Sequence, residues 1–167
     1  MLVRSATASD AAAIRVIHEA AFGGDAEARL VCMIEDDGDA LVSVVANIEG
    51  AVVGHALFSR MTVTGDGKAI AATGLAPVGV LPAYQGLGIG SALIREGLAR
   101  LPALGIALCF VLGHEKYYPR FGFSVECATR FASPYSGPHF MACPLDSALR
   151  LPERGVADYA PAFARLG

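Results

Sequence analysis

The first forty residues alternate apolar and polar positions with a helical period. The segment TASDAAAIRVIHEAAFGG places Ile14, Ile17 and Ala21 on one face and stops at a glycine pair. Thr7 and Asp10 have the spacing of a capping box, which marks the start of a helix. The segment DAEARLVCMIEDDG repeats the helical pattern over a shorter span. This part of the chain therefore predicts two amphipathic helices.

From residue 40 the pattern changes to one that is typical of strands. The segment ALVSVVANIEGAVVGHALFSRMTVTGDGKAIAATGLAPVGVLP is rich in Val, Leu and Ala, and turn residues interrupt it at 49–50 and 65–67. It predicts two strands in a hairpin, followed by a third. The third, TGLAPVGVL, contains Pro77, which cannot donate a ladder hydrogen bond, and then Gly79. We expect a bulged or splayed strand there.

A strand, a glycine loop, a helix and a second strand follow one another in the middle of the chain. Leu93, Leu98 and Leu101 share one side of the helix, which ends before Pro102. The run GIALCFVLG then predicts a strand that is covered on both faces. Such a crossover joins two parallel strands.

The last fifty residues are harder to interpret. HEKYYPRFG predicts a short helix or turn, and FSVECA and PHFMACPLD each predict a strand. The tail, residues 147–167, is expected to fold back as a cap that uses Tyr159 and Phe163.

Composition and charge narrow the class of protein. The chain has 167 residues, of which 54% are hydrophobic and 17% charged, so we expect one compact domain over residues 1–167. A formal charge of −3 argues against nucleic acid or a membrane surface as a partner. No apolar run is long enough to span a membrane, and the N-terminus lacks the apolar core of a signal peptide, so a cytoplasmic location is expected. The composition does not exclude a homodimer.

The cysteines and histidines do not have metal-site spacings. The four cysteines form no C-x-x-C pair, and the four histidines no i, i+4 pair. We interpret the cysteines as reduced, mostly buried thiols and expect no metal.

The segment PAYQGLGIGSALI, residues 82–94, has three glycines within five positions at the start of a helix. Uncapped N–H groups and the helix dipole form an anion site there, and the missing side chains allow close approach; a tight turn is the alternative. A dinucleotide fingerprint would need the glycines directly after a strand and an acidic residue on the next strand, and neither condition is met. A nucleoside triphosphate loop would need Gly-Lys-[Ser/Thr], which is absent.

Two motifs together resemble one family. VGVLPAYQGLGIGSALI is similar to the acyl-CoA signature of the GNAT N-acetyltransferase superfamily, with Gln85, Gly88 and Gly90 at its defining positions. YYPRFGF is similar to that family's following motif, and the resemblance, to a bacterial branch of predicted acetyltransferases, covers about residues 10–145. It implies an α/β (α+β) fold: a central mixed, mostly antiparallel sheet of about six to seven strands, splayed in the middle and flanked by helices.

The resemblance also implies a function and a set of site residues. The function is transfer of an acetyl group from acetyl-CoA to a primary amine, of a small molecule or of a peptide or protein, by direct attack in a ternary complex. Tyr118 occupies the place of the general-acid tyrosine, and Tyr117 a packing position. The pyrophosphate would lie on the N–H groups of one loop, and the pantetheine arm on the splayed strand. The implied donor-binding residues are Gln85, Gly86, Leu87, Gly88, Ile89, Gly90 and Ser91 on the loop, and Val78, Gly79 and Val80 on the strand.

The chain departs from the family pattern in two places. No asparagine precedes the tyrosine motif to hold the pantetheine, and no acidic residue on the splayed strand can act as general base. His55, His114 and a chain of water molecules are the alternatives for the base. The missing acid also keeps a second hypothesis open, in which the chain is a non-catalytic acyl-CoA-binding or regulatory module.

Overall fold

Eight strands form one mixed sheet in the computed structural model, which describes residues 1–166. The strands are β1 (Leu2–Ser5), β2 (Ala40–Ile48), β3 (Ala51–Gly65), β4 (Lys68–Val80), β5 (Leu108–Leu112), β6 (Phe131–Ala132), β7 (Phe140–Pro144) and β8 (Gly155–Asp158). The helices are α1 (Ala11–Phe22), α2 (Ala26–Asp36), α3 (Ile89–Arg100), α4 (Val125–Ala128) and α5 (Ala162–Arg165). The spatial order is β1-β2-β3-β4-β5-β7, with β8 beside β3 and β6 beside β8.

The sheet is antiparallel except for two pairs. β4 and β5 are parallel and joined by α3, as the crossover pattern predicts, and the short β6 is parallel to β8. The mixed, mostly antiparallel sheet expected from the family resemblance is therefore confirmed. The sheet has eight strands, where about six to seven were expected; the sequence pattern did not predict the short strands β1, β6 and β8.

β4 separates from β5 halfway along its length. The two strands pair only from Ala72 with Leu108 to Leu75 with Val111. Beyond that point β4 pairs with β3 alone, after a bulge in which its register passes from Leu75 to Val78. Pro77, which has no N–H to donate, lies within the bulge. The expected splayed strand is confirmed, and residues 76–80 have one edge without a neighbouring strand.

The two faces of the sheet carry different helices. α3 packs on one face, where a large apolar cluster includes Phe58, Leu75 and Leu93, while α1 and α2 cover the other. α3 approaches the sheet closely at Gly97, where an added Cβ would overlap the Phe58 ring. The absence of a side chain at this position therefore sets the distance between α3 and the sheet.

The first two predicted helices are confirmed, and the capping box expected at Thr7 and Asp10 lies on the 3-10 turn Ala8–Asp10 that leads into α1. The Thr7 N–H donates to Asp10 Oδ2 at 2.7 Å, and Arg4 Nη1 lies 2.8 Å from the same oxygen. α1 ends at Gly23, which has a left-handed φ of 75°. α2 follows after three residues and packs on α1.

The strand predicted for FSVECA is wrong, since Val125–Ala128 form the short helix α4. The Ser124 hydroxyl accepts a hydrogen bond from the Cys127 N–H at 3.1 Å, and this N-cap favours a helix over an extended chain. The predicted strand in PHFMACPLD is confirmed as β7.

The tail folds back onto the sheet. β8 pairs with residues 62–65 of β3, and the Tyr159 ring lies 4.8 Å from the Phe163 ring. Gly167, the end of the tail predicted to fold back, lies outside the described residues.

Candidate active site

The glycine loop adopts a backbone conformation that suits an anion. Gly86 and Gly88 have left-handed φ values of 79° and 82°, and α3 begins directly after Gly88. No side chain caps the first turn of α3. Its N–H groups therefore keep their hydrogen-bonding capacity for a ligand at the positive end of the helix dipole.

A cavity of about 350 Å³ opens over this loop. The Arg120 guanidinium stacks 4.5 Å above the Tyr117 ring, and its Nε donates to the Tyr117 carbonyl at 2.8 Å. A held cation thus lies beside the uncapped helix start, and both features favour an anionic ligand. The cavity is lined by Val80, Tyr84, Gln85, Gly86, Gly88, Ile89, Gly90, Ser91, Tyr117 and Arg120.

Seven of the ten donor-binding residues expected from the family resemblance line this cavity. Leu87 instead lies at the exposed tip of the loop. Val78 packs against the core on the α3 face, and Gly79 faces the opposite side. The Gln85 side chain donates to the Val80 carbonyl at 2.9 Å and so ties the loop to the end of β4.

Sequence reasoning missed Arg120 and assigned Tyr117 to packing only. Tyr117 also lines the cavity over the glycine loop, where its hydroxyl lies 2.9 Å from Ser91 Oγ. The signal that could have identified both is the arginine two residues after the tyrosine pair in YYPRFGF. A short helical turn at that spacing brings a guanidinium over the first ring.

Tyr118 lies where β5 ends and the two parallel strands part. Its ring covers Gly113, where an added Cβ would overlap it, and lies 5.8 Å from the Phe123 ring. Burial raises the pKa of Tyr118 to about 12, so the phenol keeps its proton throughout the neutral range. The Tyr118 hydroxyl is therefore protonated at neutral pH.

Gly79 has a packing partner that the sequence did not indicate. An added Cβ at this position would lie 2.7 Å from His18 Nδ1. The His18 imidazole is fully buried, and its Nε2 lies 2.8 Å from Nδ1 of His55. The other nitrogen of His55 lies 2.8 Å from Ser43 Oγ. Gly79 thus makes room for a buried histidine pair from α1 and β3.

The two histidine candidates for the general base, His55 and His114, differ in their surroundings: His55 is buried against His18, whereas His114 is exposed. Burial lowers the pKa of His18 to about 4 and that of His55 to about 3, so both rings are neutral at neutral pH. His114 is exposed on the loop after β5. The structure does not bring His55 and Tyr118 into contact, and the general base stays unassigned.

The buried histidine pair predicts a pH-dependent stability. In the unfolded chain both rings bind protons near pH 6.5, whereas the folded chain resists protonation down to about pH 4. The free energy of unfolding should therefore fall as the pH drops below 6.5, by about 1.4 kcal/mol per pH unit for each extra proton on the unfolded chain. Urea titrations between pH 7 and 5 measure this slope.

Matched variants isolate the pair. His18→Gln should flatten the slope, while His114→Gln, at an exposed position, should keep the wild-type slope. Equal slopes in all three proteins would show that the buried pair does not control the dependence.

Comparison with known proteins decides the family. The sequence model described as "Acetyltransferase (GNAT) domain" matches residues 2–125. The chain belongs to the GNAT acetyltransferases. This GNAT chain is 43% identical over 134 residues to the uncharacterized N-acetyltransferase YjhQ of Escherichia coli K12, a match that covers 78% of this chain and 74% of YjhQ. Its acyltransferase class follows from these findings.

Solved GNAT structures support the same assignment. The crystal structure of E. coli YhbS in complex with CoA superimposes with a TM-score of 0.85 at 30% identity, covering 99% of this chain and 93% of YhbS. A GNAT acetyltransferase from Brucella melitensis in complex with acetyl-CoA gives a TM-score of 0.79 at 36% identity, with 97% of each chain covered. The splayed sheet is therefore the GNAT fold.

Two further kinds of feature are absent from residues 1–166. No helix in this range has the length and apolar character needed to cross a membrane. Over the same residues no three His, Cys, Asp or Glu side chains are grouped to hold a metal ion. The cysteines in this range are free thiols, and Cys109, Cys127 and Cys143 are buried.

Proposed function

We propose that this GNAT protein transfers the acetyl group of acetyl-CoA to a primary amine by direct attack in a ternary complex. One observation carries the proposal: an uncapped helix start with a nearby guanidinium adjoins a strand segment that has an unpaired edge. The CoA and acetyl-CoA complexes of the two structural relatives support the choice of donor.

The donor would lie across the loop and the strand. The pyrophosphate accepts hydrogen bonds from the N–H groups of residues 85–91, and Arg120 balances its charge. The pantetheine arm pairs with the free backbone edge at residues 78–80, which β5 does not reach. Because Gln85 ties the loop to Val80, the two parts of the donor site keep a constant separation.

The chemistry then occurs near the end of β5. The amine nitrogen attacks the thioester carbonyl and forms the C–N bond, and the C–S bond breaks as the sulfur leaves. The neutral amine loses one N–H proton to solvent as the amide forms. Tyr118 donates its proton to the departing sulfur, a step of general-acid catalysis, and regains a proton from solvent. Its raised pKa keeps this proton available until negative charge develops on the sulfur.

A non-catalytic acyl-CoA-binding module is the second candidate. One observation favours it: no Asp or Glu lies in the β4 segment 69–80, where a base would be expected. Release of free thiol from acetyl-CoA with a panel of amines separates the two candidates. Release above the amine-free rate supports the enzyme, and its absence with donor binding intact supports the module.

Donor binding itself has a direct test. Acetyl-CoA at millimolar concentration should raise the Tm, because a ligand that binds only the folded state stabilises it by mass action. NADH should not, since the loop lacks the context of a dinucleotide site. Thermal scans with each ligand measure the difference. An equal shift with NADH, or none with acetyl-CoA, would contradict the proposed donor site.

A further inference from the structure

Three buried polar side-chain atoms have no hydrogen-bond partner among residues 1–166: His18 Nδ1, Ser59 Oγ and the Tyr159 hydroxyl. All three lie along the face of β3 and β4 that is opposite α3. His18 lies against Gly79, and Tyr159 lies against Gly74, where an added Cβ would be 2.5 Å from its ring. An unpaired buried polar atom is costly, so three on one face require an explanation.

Ser59 and Tyr159, called the hydroxyl pair below, both lie beside Gly74. Ser59 is the cross-strand partner of Gly74, and the Tyr159 ring covers the same glycine. Side chains alternate along β3, and Leu57 and Met61 both pack on the face opposite α3, so Ser59 also faces that side. Ser59 and the Tyr159 ring therefore both lie beside Gly74, while His18 of α1 packs at Gly79, five residues further along β4.

This location adjoins the place where β4 and β5 part. Gly74 comes directly before Leu75, the last residue of β4 that pairs with β5. Tyr118, whose ring covers Gly113 just after the end of β5, lies at the same parting of the two strands. The partly exposed Tyr135 ring packs 5.3 Å from the Tyr159 ring.

We propose that Ser59 and Tyr159 bind the acceptor through an uncharged hydrogen-bonding group next to its amine, such as an amide. The inference rests on the proposed function, because it places the amine beside Tyr118 at the parting of the strands. A hydroxyl pair can both donate to a carbonyl and accept from an N–H. Neither side chain is charged at neutral pH, since burial raises the pKa of Tyr159 well above its usual value. A carboxylate in the same place would find no cation.

The test compares Ser59→Ala and Tyr159→Phe with the wild type, using alaninamide, propylamine and alanine as acceptors and thiol release as the readout. Each variant should raise KM for alaninamide about tenfold and leave KM for propylamine within about twofold. Variant-to-wild-type ratios cancel the different basicities of the amines. Wild-type kcat/KM should be lower for alanine than for alaninamide.

Stability distinguishes a binding role from a structural one. Because the hydroxyls lack partners in the free protein, Ser59→Ala and Tyr159→Phe should keep or raise the Tm. Thr73→Val is the matched control: its hydroxyl donates to the Ser59 carbonyl at 2.7 Å, so this variant should lower the Tm and leave KM unchanged.

The outcomes separate two failures. Unchanged KM for alaninamide in both variants, or a Tm loss like that of Thr73→Val, overturns the inference while the proposed function stands. Absence of thiol release by the wild type with every amine contradicts the proposed function, and the inference with it. Retention of the acetyl-CoA-induced Tm shift in both variants shows that the donor site is intact.

Discussion

Tyr118→Phe should lower kcat roughly 10²-fold or more, the usual size of a general-acid contribution. The substitution keeps the ring that covers Gly113 and removes only the hydroxyl. Affinity for acetyl-CoA should change little, because Tyr118 is not among the residues that line the donor cavity. Steady-state thiol release gives kcat, and the acetyl-CoA-induced Tm shift reports donor binding.

Tyr117→Phe is the matched control, with a different expected effect. Its hydroxyl lies 2.9 Å from Ser91 Oγ at the start of α3, so its loss should raise KM for acetyl-CoA and leave kcat near wild type. If Tyr118→Phe keeps most of its kcat while its Tm drops, Tyr118 is a packing residue and another group or water protonates the sulfur.

Gly88→Glu should abolish the acetyl-CoA-induced Tm shift. Nothing lies within 4 Å of a Cβ added at Gly88, so the side chain fits, but it brings a negative charge to the proposed pyrophosphate position. Its φ of 82° also strains any residue other than glycine, by roughly 1–2 kcal/mol. Isothermal titration with acetyl-CoA measures the loss.

Gly105→Glu separates the charge at the site from the strain. Gly105 has a similar φ of 77° and equally open surroundings, and it lies outside the donor cavity. This variant should share the loss of stability and keep wild-type affinity. Wild-type affinity in Gly88→Glu would place the donor elsewhere on the molecule.

Local patterns in the sequence predicted much of the fold. The helical period and glycine stop of α1, the turn at residues 65–67 and the bulge at Pro77 depend on neighbouring residues, so they are visible along the chain. β1 and β8 are four-residue strands whose stability comes from pairing with distant strands, and no local pattern marks them. For FSVECA, the Ser124 cap outweighed the strand propensity of Phe and Val.

The candidate site also has a part that local sequence predicts and a part that it does not. The glycine loop is contiguous in sequence, and its anion-binding geometry follows from the glycines and the helix start. The His18–His55 pair joins residues 37 positions apart, and the hydroxyl pair joins Ser59 to Tyr159. Such pairs depend on which strand lies beside which, information that one sequence does not contain. Gly79 illustrates the limit: the family resemblance implied a donor-binding role for it, yet a histidine on α1 lies against it.

The close approach of α3 to Phe58 at Gly97 couples the position of the glycine loop to the packing of the core. The N-terminus of α3 carries the N–H groups of the loop. At 1.5 Å per residue, Gly97 lies about 13 Å from Gly88 along the helix axis. A larger residue at Gly97 would push α3 away from the sheet and move the N-terminus of the helix with it. If acetyl-CoA binds as proposed, substitutions at this core position should therefore change its affinity without touching the loop itself.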